Sequence, residues 1–168
     1  TRFIKILYSS LKTLAIVMSL IAAASAYGYL LSRLQVPRLA TEFLLSITNN
    51  YYLLLLLVNF MLLGLGCIMD MAPLILICTP ILFPVLVLKM GMDPTHFGIM
   101  LLLNLCIGLC TPPVGSALYV GSAIGKIPIE RASKGCIPFY ISMLITLMMV
   151  TYIPAITMTL PNLLMPGK

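Results

Sequence analysis

Charged side chains are scarce in this sequence. Asp, Glu, Lys and Arg together make up 8% of its 168 residues, only four residues are acidic, and 61% are hydrophobic. A typical soluble domain has about 25% charged residues, so this composition excludes an ordinary soluble globular fold. The chain is predicted to be an all-α, multi-pass integral membrane protein.

Sequence motifs that indicate catalysis or nucleotide binding are also missing. His96 is the only histidine, and no phosphate-binding loop or catalytic triad is present. Asp70 has no nearby acid or base partner, which argues against an intramembrane enzyme. We therefore predict no enzymatic activity and no cofactor other than a coupling ion.

The cysteines do not form a Cys-x-x-Cys motif. All of them lie within or beside apolar stretches and are predicted to be small buried hydrophobic residues: Cys67, Cys78, Cys106, Cys110 and Cys136. Cys106 and Cys110 share a helical face, so a soft metal is the alternative. That alternative lacks a histidine ligand, because His96 is predicted to be an interfacial residue on a loop.

The net charge of +6 does not indicate nucleic-acid binding. The cations sit at the ends of apolar runs, as they do beside membrane helices, and form no basic patch. They divide into a larger set, predicted to be cytoplasmic, and a smaller set on the opposite side. The larger set is Arg2, Lys5, Lys12, Lys126, Arg131 and Lys134, and the smaller is Arg33, Arg38, Lys89 and Lys168.

The apolar runs and their interruptions divide the chain into seven predicted segments. They are an interfacial helix at 1–12, a transmembrane helix at 13–34, an interfacial helix at 37–50, a re-entrant hairpin at 51–90, a discontinuous transmembrane helix at 95–125, a transmembrane helix at 135–160, and a tail at 161–168. Bends are expected at Pro80, Pro84, Pro138 and Pro154. A surface segment at the start suggests that the native polypeptide extends upstream.

The hairpin prediction depends on the stretch from Gly64 to Asp70. The apolar arm before it, residues 53–63, would reach only about halfway across a ~30 Å core. Asp70 would then lie deep in the membrane, where a carboxylate costs at least ~2.5 kcal/mol unless it caps, pairs or binds a cation. Asp70 precedes Met71 and Pro73 and is well placed to cap the second arm. The alternative is two full spans joined by a tight turn.

The second interruption is Thr111-Pro-Pro-Val-Gly115. Proline has no amide hydrogen, so Pro112 and Pro113 would leave the carbonyls of Gly108 and Leu109 without helical donors. In hydrocarbon, such carbonyls must be satisfied by protein, water or a cation. A broken helix of this kind is typical of secondary-transporter sites. The alternative is an ordinary proline kink whose carbonyls are repaired by neighbours or by the Thr111 hydroxyl.

Together the two interruptions predict one site near the middle of the membrane for a coupling ion and a substrate. Its predicted residues are Gly64, Gly66, Cys67, Met69, Asp70, Asn104, Gly108, Leu109, Thr111, Pro112, Pro113, Val114 and Gly115. Within this set, a sodium ion is assigned to Gly66, Asp70, Gly108, Thr111 and Val114.

The same residues resemble a known family. Asn104, Gly108 and Thr111-Pro-Pro-Val-Gly115, with the upstream Gly66-Cys-Ile-Met-Asp70 and Thr79-Pro-Ile-Leu-Phe-Pro84, are similar to the large membrane subunit of tripartite ATP-independent periplasmic (TRAP) transporters. The resemblance covers nearly the whole chain, which looks like the carboxy-terminal half of that subunit.

The resemblance implies a function and a set of partners. It implies half of an inverted-repeat transporter that uses an elevator movement for sodium-coupled uptake of a small organic acid across the bacterial inner membrane. It also implies three protein partners: a small TRAP membrane subunit, a periplasmic substrate-binding protein and the amino-terminal half of the same permease. The alternatives are a non-transporting structural or assembly subunit and an intramembrane enzyme.

Overall fold

The chain folds as a bundle of helices. The computed structural model describes residues 2–48, 50–113 and 115–164, and every regular element in those ranges is a helix. The elements are α1 (Arg2–Arg33), α2 (Val36–Ile47), α3 (Tyr51–Ile68), α4 (Met71–Phe83), a π-helix (Pro84–Lys89), α5 (Pro94–Cys110), α6 (Ser116–Gly125), α7 (Ile129–Tyr152) and α8 (Pro154–Leu164). Within the described ranges, four apolar stretches are long enough to cross a membrane: Phe3–Leu31, Tyr51–Ile68, Met71–Lys89 and Ile129–Tyr152.

The first helix differs from the prediction. Residues 1–12 and 13–34 were expected to form separate segments, but α1 is continuous from Arg2 to Arg33. This stretch contains no proline and one glycine, so nothing interrupts its backbone hydrogen bonds. The next helix, α2, follows Gln35, whose φ of 54° is left-handed, and it ends at Ile47 rather than at residue 50.

The helix α3 is longer than its predicted arm. The Asn50 side chain caps its start by accepting a hydrogen bond from the Tyr52 amide at 3.1 Å. The helix then continues through Gly64 to Ile68, and its 18 residues span about 27 Å. The predicted first arm, residues 53–63, is therefore too short. The chain breaks at Met69 and Asp70, at the carboxyl end of the predicted Gly64–Asp70 divider.

The second arm contains two prolines that do not end it. Pro80 lies inside α4, and at Pro84 the winding changes to a π-helix that runs to Lys89. Pro84 cannot donate to the carbonyl four residues earlier, and a π-turn is one way to accommodate a local break in the α-helical pattern. The arm packs mainly on α1, α2 and α5, and contacts α3 little.

The helices α3 and α5 form the centre of the bundle. They run side by side in the same direction, because Asn59 contacts Asn104 and Gly66 contacts Gly108 further along both helices. The helix α7 runs the opposite way, because Tyr140 reaches Cys110 near one end of α5 and Thr151 contacts the other end. The interruptions at 69–70 and 111–115 therefore lie at the same level of the bundle.

The last predicted span is two helices. A single segment at 135–160 was expected, but α7 ends at Tyr152 and α8 begins at Pro154. Proline disfavours a helical conformation at the preceding residue, Ile153, and has no amide hydrogen for the α7 ladder. Pro138, by contrast, lies inside α7. The predicted tail is helical through Leu164, and residues 165–168 lie outside the described ranges.

His96 is buried, which corrects its predicted interfacial loop position. It lies in the first turn of α5 and only 1% of its surface is exposed. The helix starts this early because the Asp93 carboxylate accepts hydrogen bonds from the Thr95 amide at 2.7 Å and the His96 amide at 3.4 Å. Asp93 is a helix N-cap followed by Pro94 at the first helical position.

Candidate ion and substrate site

The two helix breaks meet where α3 and α5 approach each other through paired glycines. A Cβ added to Gly108 would lie 2.7 Å from both the Cα and the carbonyl carbon of Gly66. A Cβ added to Gly66 would lie 3.2 Å from the Cα of Gly108. Only residues without a side chain permit this backbone contact.

Hydrogen bonds connect the two breaks just beyond the glycines. The Cys67 sulfur and the Thr111 hydroxyl oxygen lie 2.9 Å apart, and the Gly115 amide donates to the Cys67 carbonyl at 3.4 Å. Residues more than 40 positions apart in sequence are therefore held in direct contact. The predicted convergence of the two interruptions is present in the structure.

Asp70 is at the N-cap position of α4 but does not cap it with its side chain. The third residue of the helix is Pro73, which has no amide hydrogen for the usual capping bond. The Asp70 carboxylate instead accepts a hydrogen bond from the Ser116 hydroxyl at 3.3 Å. The prediction that Asp70 caps the second arm is thus correct for its position and wrong for its side-chain contact.

The charge of Asp70 is not neutralised by a basic side chain of the described residues. Within those ranges the only salt bridge joins Arg38 and Glu42, which are exposed and one turn apart on α2. Next to Asp70 lies a cavity of about 240 Å³. It is lined by Gly66, Cys67, Ile68, Met69, Asp70, Gly115 and Ser116. Residues of both helix breaks therefore line this cavity.

Thr111 supplies hydrogen-bond donors for a carbonyl that the two prolines leave without its helical donor. Its amide and its hydroxyl each lie 3.0 Å from the Gly108 carbonyl oxygen and both donate to it. The carbonyl expected to be freed by Pro112 is thus already hydrogen-bonded, as in the kink alternative. The carbonyl of Cys110, the last residue of α5, accepts the Tyr140 hydroxyl at 2.9 Å.

Gly115 lets the chain leave the break and enter α6. Its φ of 36° lies in the left-handed region, which favours glycine. An added Cβ would also lie 2.7 Å from the Thr111 carbonyl oxygen and 3.3 Å from that of Leu109. Two carbonyl oxygens therefore occupy the space that a side chain at this position would need.

The predicted site residues separate into three groups. Those that line the cavity are Gly66, Cys67, Met69, Asp70 and Gly115; those that form the adjoining break or glycine contact are Gly108, Leu109, Thr111, Pro112 and Pro113. Gly64 and Asn104 do not line the cavity, and Val114 lies outside the described residues. The prediction missed Ile68 and Ser116. Only the position of Ser116, directly after the break, could have indicated its role.

Asn104 belongs to a buried polar network instead. Its amide nitrogen donates to the side-chain oxygen of Asn59 at 2.8 Å, and the Asn59 amide donates to the Thr151 hydroxyl at 2.9 Å. All three residues are buried, and the Asn104 side-chain oxygen has no hydrogen-bond partner among the described residues. The network joins α3, α5 and α7, and it precedes the glycine contact by about two turns along α3 and about one turn along α5.

Comparison with known proteins identifies the family. The family model of the tripartite ATP-independent periplasmic transporter, DctM component, matches residues 1–156. The chain belongs to this family. The resemblance inferred from the two motifs is thereby confirmed, and so are transport and membrane integration as the family's properties.

Named relatives are transporter permeases and not enzymes. The chain is 39% identical over 161 residues to the sialic acid TRAP transporter large permease protein SiaM of Vibrio cholerae, covering 96% of this chain and 38% of the relative. It is 39% identical over 160 residues to the C4-dicarboxylate TRAP transporter large permease protein DctM of Rhodobacter capsulatus, covering 95% and 36%. It is 41% identical over 146 residues to the isethionate TRAP transporter permease protein DctMQ of Oleidesulfovibrio alaskensis, covering 87% and 23%. The chain therefore spans well under half the length of these relatives.

Proposed function

We propose that this chain forms the carboxy-terminal half of a TRAP permease subunit that takes up a small organic acid, driven by sodium. The observation that most supports the proposal is the contact between the two broken helices, with a carboxylate in the shared cavity. The family assignment gives the type of protein. The local geometry supports the two joined breaks as the place where an ion and a substrate would bind.

Sodium is the coupling ion in this proposal. Sodium is a hard cation that prefers oxygen ligands, and the Asp70 carboxylate and the Ser116 hydroxyl belong to residues that line the cavity. A carboxylate at membrane depth costs at least ~2.5 kcal/mol without compensation, and a bound cation would supply that compensation. We assign the ion to Asp70, Gly66 and Thr111 with the neighbouring carbonyls. Gly108 would act by permitting close approach, since its carbonyl already accepts two hydrogen bonds.

The proposal keeps the re-entrant hairpin with longer arms. The α3 arm starts level with the start of α5, and the α4 arm with its π-helix returns to that same end before Pro94. The helix α6 extends beyond the level of the hairpin tip and lies along α7. This follows because Ser122 of α6 and Cys136 of α7 line one cavity with Cys110. The ten residues of α6 add about 15 Å. The hairpin tip at residues 69–70 would thus lie short of the far membrane surface. It would lie against the break between α5 and α6, which together complete the crossing.

An anionic substrate fits the two helix starts beside the cavity. The amino terminus of α4 follows Asp70 and that of α6 begins at Ser116, and the amino-terminal end of a helix is favourable for an anion. The relatives named above are transporters of sialic acid, C4-dicarboxylates and isethionate, which all carry acidic groups. We propose a substrate of the dicarboxylate, sialic acid or sugar-acid type.

The proposed assembly has four contacts outside this chain. They are the amino-terminal half of the permease, a small TRAP membrane subunit, a periplasmic substrate-binding protein and the lipid of the inner membrane. Large apolar side chains are exposed along α1 and on the outer faces of α2, α6 and α7. Such faces need protein or lipid to cover them.

Uptake by the full-length permease with its partners tests the proposal. In vesicles, an inward sodium gradient should drive accumulation of a labelled organic acid, and Asp70→Asn or Thr111→Val should reduce it at least tenfold. Thr146→Val is the matched control, because the one hydrogen bond of this exposed hydroxyl among the described residues goes to the Ser142 carbonyl of its own helix. Uptake that proceeds equally with potassium in place of sodium would refute the coupling. A protein that assembles with its partners but transports none of the tested acids would favour a structural subunit.

A further inference from the structure

A second cavity, of about 450 Å³, lies between α6 and α7. It shares no lining residue with the cavity beside Asp70, and Cys110 at the end of α5 also lines it. Small or apolar residues form most of its walls, among them Ala117, Leu118, Gly121, Ala132, Phe139 and Met143. Its volume lies in the range of ~300–1,000 Å³ that is typical of small-molecule sites.

The two hydroxyls that line this cavity are already hydrogen-bonded. Ser122 donates to the Ile127 carbonyl at 2.6 Å, and Tyr140 donates to the Cys110 carbonyl at 2.9 Å. A hydroxyl has one hydrogen, so neither group can also donate to a ligand. The thiols of Cys110 and Cys136 behave as small hydrophobic groups with weak donors. An organic acid would therefore lose its hydrogen bonds to water in this cavity, whereas an apolar chain would lose none.

The cavity is as long as one leaflet of the membrane is deep. Its lining residues on α7 run from Ala132 to Met143, a distance of about 16–17 Å along the helix. Half of a ~30 Å hydrocarbon core is about 15 Å. In the proposed topology, the α6–α7 connection lies at a membrane surface and the α5–α6 break lies within the hydrocarbon core. A lipid acyl chain has to cover the same depth.

Basic side chains lie at the surface end of the cavity. Lys126 follows α6, and Arg131 and Lys134 lie in the first two turns of α7. All three residues are exposed, and none forms a salt bridge with another of the described residues. Glu130 is the one acidic residue of the stretch 126–134, so three cations and one anion leave a net charge of +2. This charge is complementary to a lipid phosphate.

We propose that the cavity binds one acyl chain of an anionic phospholipid, whose phosphate contacts Lys126 and Arg131. A lipid of any charge can touch the outer surface of α7, but basic residues beside an apolar cavity between membrane helices select a negatively charged one. The lipid belongs to the leaflet on the side of the 126–134 connection, which is predicted to be cytoplasmic. The inference depends on the proposed topology and is independent of sodium coupling.

Photo-crosslinking of the full-length permease with its partners in lipid nanodiscs tests the proposal. The probe is phosphatidylglycerol with a diazirine on one acyl chain, present as a small fraction of a phosphatidylcholine bilayer. Mass spectrometry should find the label on the parts of α6 and α7 that line the cavity. Excess unlabelled phosphatidylglycerol should remove this label, and excess phosphatidylcholine should not. Equal displacement by the two lipids, or a cavity without label because another part of the permease fills it, would overturn the proposal.

A pair of glycine variants tests the cavity itself. A Cβ added to Gly121 or to Gly135 meets nothing within 4 Å, and leucine favours a helix over glycine, so both leucine variants are expected to fold. Only Gly121 lines the cavity. Gly121→Leu should reduce the displaceable label at least about fivefold, because a filled cavity has no room for a chain. Gly135→Leu should keep it, and equal label in the two variants would overturn the proposed location.

A pair of double variants tests the phosphate contact. A basic residue near an anionic lipid surface contributes about fivefold to affinity. Lys126→Gln with Arg131→Gln should therefore raise the mole fraction of unlabelled phosphatidylglycerol needed for displacement at least about tenfold. Arg33→Gln with Lys89→Gln removes the same charge from exposed residues of the predicted opposite side and should leave displacement unchanged. Equal effects of the two double variants would show that only overall charge matters and would overturn the assigned contact.

Discussion

The contact between Gly66 and Gly108 leads to a sharp prediction for Gly108→Ala. The added methyl group would lie 2.7 Å from two backbone atoms of Gly66 and 3.1 Å from its carbonyl oxygen. Carbon atoms normally make contact at about 3.5–4.0 Å, so α3 and α5 must separate by about 1 Å. The obstacle is backbone, which cannot rotate away as a side chain can.

The separation would reach the candidate site directly. Opened by about 1 Å, the 2.9 Å contact between the Cys67 sulfur and the Thr111 hydroxyl would be weakened, and the 3.4 Å bond from the Gly115 amide to the Cys67 carbonyl would exceed hydrogen-bonding distance. Overpacking of a tight core costs about 1–3 kcal/mol, and the better helix propensity of alanine returns up to about 1 kcal/mol. We expect a lower unfolding temperature and a loss of sodium-driven uptake of at least tenfold.

Other glycines of the same helix pair provide graded controls. Gly64→Ala places a methyl group where nothing lies within 4 Å, whereas Gly66→Ala meets Gly108 at 3.2 Å. In the full-length permease, Gly64→Ala should keep its uptake and its unfolding temperature, and Gly66→Ala should fall between the other two. A Gly108→Ala protein that matches Gly64→Ala in both measurements would refute the close contact.

Three further substitutions test other contacts. Ser116→Ala removes the donor to Asp70 and should raise the sodium concentration for half-maximal uptake several-fold with little change in stability; an unchanged sodium dependence would argue against the contact. Tyr140→Phe leaves the Cys110 carbonyl without its donor and should lower the free energy of unfolding by about 1 kcal/mol, seen in thermal unfolding. Asn104→Leu leaves the buried Asn59 oxygen unpaired and should cost about 1–3 kcal/mol while sodium affinity stays constant, and a large change in that affinity would place Asn104 in the ion site.

The breaks were predictable because their causes are local. Pro112 and Pro113 remove backbone donors wherever the helix packs, so the interruption at 111–115 follows from the sequence. The α7–α8 break at Pro154 has the same cause, but a proline can bend a helix or end it, and the prediction chose a bend. Pro138 lies inside a helix in the same chain, so the residue type alone does not decide the outcome.

Features that depend on distant residues were not predictable. His96 was expected at the interface because a lone histidine beside a turn gives no sign of burial, and its partner Thr157 is 61 residues away. Asn104 was placed in the ion site because it lies one turn before Gly108, but its side chain faces Asn59 on α3. The orientation of a helix about its axis depends on its neighbours, and an almost wholly apolar helix has no polar face that would indicate it.

The length of α3 was misjudged for a related reason. Gly64 and Gly66 were interpreted as part of a divider that ends the first arm, and glycine does weaken helices in water. In a membrane bundle small residues permit close helix packing, and Gly66 is buried against Gly108 within the last turn of α3. Gly66 was therefore correctly predicted to lie where the two breaks meet, but it does not end α3.

We propose that the joined breaks bind sodium through Asp70. Thermal unfolding of the full-length permease, measured against sodium and potassium at equal ionic strength, tests it most directly. A ligand that binds only the folded state raises stability with its concentration. We expect sodium to raise the unfolding temperature of the unmodified protein above its value in potassium, and Asp70→Asn to abolish the difference. Equal unfolding temperatures in the two salts, or a sodium effect that survives in Asp70→Asn, would contradict it.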